Sequence, residues 1–198
     1  MKCMNPKTYK KFKRKRVLYI RNILMEDDPY WDAGWKQGFQ SGSREEVETF
    51  CRKEHIKFRW KGDVLYTEYI SPSTVIHPVT GDEFWFNQVY LKNRSSGISG
   101  KLSPHFEKAY FSAKDFLNQL RKLDPDDLPV NVLYGDSSFI EIDVIEELQS
   151  IYEQKQVSFQ WKKGDFILLD NILASHGRNS YQGDGRRVLV TWRYHHII

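Results

Sequence analysis

Apolar and polar positions alternate in two distinct rhythms along this chain. Val17 to Asn22, Ile56 to Trp60, Val64 to Ile70, Glu83 to Tyr90 and Val130 to Tyr134 are short runs rich in β-branched and aromatic residues, bounded by polar or turn residues, and they predict strands. Lys61-Gly62-Asp63 predicts a hairpin between the second and third of these. Val157 to Trp161, Phe166 to Asp170 and Arg187 to Tyr194 predict three closing strands. Helical spacing marks three other stretches. Ser43 to about His55 buries Val47, Phe50 and Cys51, with Ser43 and Glu46 placed for a capping box. Ala113 to Leu123 carries Phe116, Leu117 and Leu120, and Glu141 to Gln154 carries Ile142, Ile145, Leu148 and Ile151. His77 to Asp82 is turn chemistry, and Lys92 to Ser103 reads as a loop. The pattern predicts one domain over residues 1–198, mostly β with flanking helices.

Composition agrees with a folded protein: 198 residues, 40% hydrophobic and 15% aromatic. No apolar run approaches the ~20 residues needed to span a bilayer, and no apolar segment follows the N-terminal methionine, so neither a membrane nor a secretory route is expected. Cys3 and Cys51 lack metal or redox spacing, which points to a reduced, cytoplasmic protein. The net charge of +4 is concentrated in Lys7, Lys10, Lys11, Lys13, Arg14, Lys15 and Arg16. Tyr9 and Phe12 are spaced to bury one side of that run, so it reads as the solvated face of a helix and not as a nucleic-acid surface.

The candidate chemistry lies near the C-terminus. Asp165-Phe166-Ile167-Leu168-Leu169-Asp170-Asn171 leads through Ala174-Ser175 to His176, and Arg186-Arg187 opens the following apolar run. Preceded by Trp161-Lys162-Lys163-Gly164, this layout resembles the closing motif of TauD/TfdA-like iron(II)/2-oxoglutarate oxygenases, in particular the SyrP-type members found beside nonribosomal peptide synthetases. Val17 to Asn22, Ser43 to Cys51, His77 to Gln88, Asp127-Leu128-Pro129 and Tyr134-Gly135-Asp136 stand in the order that subfamily shows them.

The resemblance implies a double-stranded β-helix, a jelly roll of cupin type, incomplete at the N-terminus. It also implies an iron(II)/2-oxoglutarate-dependent dioxygenase that hydroxylates an aliphatic carbon of a small or carrier-protein-bound substrate of amino-acid type. His176 takes the place of the late histidine ligand. Arg187, with Arg186 as the alternative, takes that of the arginine whose planar fork suits the far carboxylate of 2-oxoglutarate. Asn87 falls where a substrate contact is expected. Family members draw their other two ligands from an HxD or HxE pair that precedes the segment resembling Val17 to Asn22, and nothing before Val17 supplies it. The match therefore implies the C-terminal part of the domain, requiring a separately encoded N-terminal fragment or a second copy. A noncatalytic remnant or interaction module is the competing expectation. His105-Phe106-Glu107 has the HxE spacing, but following Ser103-Pro104 it reads as a loop or helix start; His77, His55, His195 and His196 read as turn, helix-end and terminal residues.

Overall fold

The Asn5 side chain accepts from the Lys7 amide and Pro6 takes the first helical position, so the chain opens directly into a helix, α1 (Pro6–Lys15). In the computed structural model there follow β1 (Val17–Ile23), α2 (Trp35–Gly38), α3 (Arg44–Lys53), β2 (Lys57–Lys61), β3 (Val64–Ser71), β4 (Thr74–Ile76), β5 (Glu83–Trp85), α4 (Val89–Lys92), β6 (Val130–Tyr134) and α5 (Ile142–Lys155). The structure describes residues 3–27, 34–92 and 128–176. Arg186 and Arg187, the His105–Glu107 pair, His195 and His196, the helix expected at 113–123 and the strand expected at 187–194 lie outside them.

Four strands form an antiparallel sheet in the order β2-β3-β1-β6, and β4 pairs with β5 in a second, two-stranded sheet. Strand β1 sits at the centre because both its faces can be buried. Val17 and Ile23 point one way, Leu18 and Ile20 the other. On the first face, Phe12 of α1 and Val144, Ile145 and Leu148 of α5 pack on Val17, Val132 and Tyr134. Farther along the same face, Trp35, Val47 and Cys51 pack on Ile23 and Leu65. The second face gathers Leu18, Ile20, Tyr66 and Leu133. The β2–β3 hairpin turns where expected, with Gly62 at φ 61°.

Helix α1 is bolted to its surroundings by the side chains that make it basic. Lys11 pairs with Glu141, Lys13 with Glu83, and Lys15 with Asp136 at 2.7 Å. Phe12 meets Trp85 of β5 edge-on, with ring centroids 5.0 Å apart.

Three sequence-based expectations are corrected. The strand expected from Glu83 to Tyr90 stops at Trp85 because Asn87 turns the chain: its Oδ1 accepts from the Val89 amide at 3.0 Å, which opens α4. Ser43 makes no side-chain cap on α3; Ser41 bonds Glu46 and accepts from the Ser43 amide at 3.1 Å instead. Finally, 157–161 and 166–170 form no strand. Alternation gives a segment its sidedness, but a strand also needs a ladder partner, and neither segment is paired with a strand among the described residues. Phe166 and Leu168 are 88% and 92% exposed in consequence. The described residues thus form a mixed helix and strand structure with antiparallel sheets.

Candidate functional site

The segment that carries the expected site is built from two turns. In the first, the Asp165 carboxylate accepts from the Lys162 amide at 2.7 Å while the Asp165 amide returns to the Lys162 carbonyl at 3.1 Å. Gly164, at φ 95°, supplies the backbone conformation this reversal requires. The second turn begins at Asp170. Its Oδ1 accepts from the Ile172 amide at 2.9 Å, and its carbonyl accepts from the amides of Leu173 and Ala174 at 3.1 and 3.0 Å. His176 follows two residues later and is exposed.

Asp170 has a second task. Its Oδ2 lies 2.9 Å from Nε2 of His77, in the loop that joins β4 to β5. The amides of Val79 and Thr80 both point at Nδ1 of the same ring, at 3.2 and 3.1 Å. Nδ1 is therefore the acceptor, and the ring proton sits on Nε2, directed at Asp170. The bond from His77, and after it that from the Ile172 amide, holds the Asp170 carboxyl below its usual range. His77 is 6% exposed and meets Phe84 edge-on. Sequence reasoning gave it only the role of a turn residue. The available signal was a histidine opening a Pro-Val-Thr-Gly-Asp turn, a position that leaves one ring nitrogen for the loop and one for something beyond it.

Asn87 is engaged within the chain at both ends of its amide: Nδ2 donates to the Ser73 carbonyl at 2.8 Å and Oδ1 holds the start of α4. His55 lies two residues past the end of α3, in the left-handed region at φ 55°. Of the residues expected to bind iron or 2-oxoglutarate, His176 is the one that is described. Among the described residues no three His, Cys, Asp or Glu side chains converge where a metal ion could be held. A nonheme iron(II) site draws on two imidazoles and a carboxylate, so the described donor set does not by itself fit the metal.

Comparison with known proteins places the chain. The model of the family described as taurine catabolism dioxygenase TauD, TfdA family, matches residues 7–192. The dapdiamide synthesis protein DdaC of Enterobacter agglomerans is 31% identical over 174 residues, which is 87% of this chain and 47% of that protein. A clavaminate synthase-like protein of Arabidopsis thaliana is 24% identical over 201 residues, 96% of this chain and 51% of that protein. The chain belongs to the TauD/TfdA family, and its kinship is with nonheme dioxygenase-type oxidoreductases. It spans about half the length of the curated relatives it matches.

Proposed function

We propose that the protein is an oxidoreductase of the iron(II)/2-oxoglutarate dioxygenase type in which His176 is a metal ligand and Arg187, or Arg186 if the strand bulges at Gly185, holds the far carboxylate of 2-oxoglutarate. The observation that carries this reading is the family match, whose range, residues 7–192, takes in all three positions. When bound, iron and 2-oxoglutarate would supply oxidising power for hydroxylation of an aliphatic carbon. The remaining metal ligands would come from a segment beyond these 198 residues, on the same polypeptide, on a separately encoded N-terminal fragment or on a second copy. With that segment the fold would close as a double-stranded β-helix. The substrate class we favour, a small or carrier-protein-bound amino-acid-like molecule, is the one the resemblance to SyrP-type members implies, and a relative named for the synthesis of a small molecule, dapdiamide, supports its small-molecule part.

The test is reconstitution with a polypeptide carrying the HxD/E segment of a family member. Succinate should then form from 2-oxoglutarate, and Arg187→Ala should raise the 2-oxoglutarate concentration required by at least about tenfold, the loss of a two-bond ion pair. Reconstituted material in which Arg187→Ala and Arg186→Ala both leave that concentration unchanged refutes the cosubstrate assignment. A second reading, a noncatalytic interaction module that keeps the fold, draws on the exposure of Phe166 and Leu168, which suits a surface that another polypeptide covers.

A further inference from the structure

Two segments 93 residues apart are tied together by His77 and Asp170, and each partner uses its other polar atoms locally. His77 spends Nδ1 on the amides of Val79 and Thr80, and its own amide donates to the Asp82 carbonyl at 2.7 Å, so the imidazole is fixed within the β4–β5 loop. Asp170 spends Oδ1 and its carbonyl on the three amides that form the turn before His176. The carboxylate is thus a shared plate, one oxygen fixed by the loop and the other fixing the turn. That loop is itself braced, since Thr74 of β4 and Tyr9 and Lys13 of α1 all bond Glu83 of β5.

We propose that His77 is a positioning residue for His176: its Nε2–H bond to Asp170 transmits the fixed frame of the β4–β5 hairpin to the Asp170–Ala174 turn and so sets where the His176 imidazole is presented. The functional consequence rests on the reading of His176 as a metal ligand; the mechanical claim does not. An exposed turn held only by its own short-range bonds would sample several orientations. A half-exposed carboxylate anchored to a buried, doubly accepting imidazole gives it one.

Two substitutions separate the ring's two tasks. In His77→Asn the side-chain oxygen can stand near Nδ1 and keep the loop amides, but nothing reaches Asp170. In His77→Gln the amide nitrogen can stand near Nε2 and keep the bond to Asp170. The measurements are amide hydrogen exchange and histidine ring NMR on the metal-free chain. In His77→Asn, exchange of the Ile172, Leu173 and Ala174 amides should rise about tenfold, as expected for one lost bond to a charged acceptor, and the His176 ring signal should shift or broaden, while Val47 to Lys53 of α3 exchange as in wild type. In His77→Gln the turn amides and the His176 signal should remain near wild type. Wild-type behaviour of both in His77→Asn, or equal loosening in the two variants, overturns the proposal. Addition of cobalt(II) to the wild-type chain reconstituted with an HxD/E polypeptide tests the other premise separately. Paramagnetic broadening of the His176 ring signal is expected. A His176 signal indifferent to cobalt, in a chain whose turn still loosens in His77→Asn, would sink the ligand reading and leave the clamp standing.

Discussion

The Tyr9 hydroxyl of α1 donates to the Glu83 carboxylate of β5, joining positions 74 residues apart. Lys13 and Thr74 converge on the same carboxylate, Thr74 at 2.7 Å, so one side chain gathers a helix and both strands of the small hairpin. The bonds from Lys13, Tyr9 and Thr74, in that order of effect, hold the Glu83 carboxyl at about 2, against an ordinary value of 4.5.

A carboxyl whose pKa is depressed by folding stabilises the folded state above its ordinary pKa and loses that contribution as pH falls through the folded value. Glu83→Gln should therefore cost about 1 kcal/mol at pH 7, after allowance for solvent screening of a partly exposed ion pair. The difference from wild type should shrink as pH falls from 4.5 towards 2. Urea unfolding at neutral and acid pH measures it; a gap that stays constant or widens in acid contradicts the assignment.

Gly135 follows β6 where the chain passes α1 at close range. A β-carbon there would lie 2.3 Å from the Lys15 carbonyl oxygen, and the Gly135 amide donates to Arg16 at 3.2 Å. The obstacle is backbone and not a side chain that can swing aside. Gly135→Ala should cost about 2 kcal/mol or more, measured by thermal or urea unfolding. An unchanged midpoint would show that the two segments do not approach so closely.

Asn87 gives a clean separation of structural and substrate roles. With two hydrogen bonds inside the chain, Asn87→Ala should lower stability by about 1 to 2 kcal/mol with no substrate present. Unaltered stability in the absence of ligand would show that these two bonds do not hold the start of α4.

How much of this was legible in the sequence differs element by element. Strand β1, the β2–β3 hairpin and helix α3 were readable because each is decided locally: β-branched runs, a glycine at a two-residue turn, and an apolar stripe at helical spacing. The end of β5 was not. Asn87 competes with the ladder for the backbone, and only three-dimensional context decides which wins. Phe166 to Leu169 has the composition of a strand, but whether it becomes one depends on a partner that local pattern cannot supply. The candidate site divides the same way. His176 is assigned to the proposed site from its flanking motif alone, whereas the pairing of His77 with Asp170 is a contact across 93 residues with no periodicity to announce it.

The proposed function requires His176 to be part of a metal site that these residues do not complete alone. Anaerobic titration of the chain with iron(II), followed by assay for succinate in the presence of 2-oxoglutarate and oxygen, tests it. The expected result is weak, unsaturated iron binding and no succinate from the chain alone. Succinate formation should appear when an HxD/E polypeptide is supplied and disappear again with His176→Ala. Tight, stoichiometric iron binding with succinate production from the chain alone would contradict this and make His105 and Glu107 the ligands to test next.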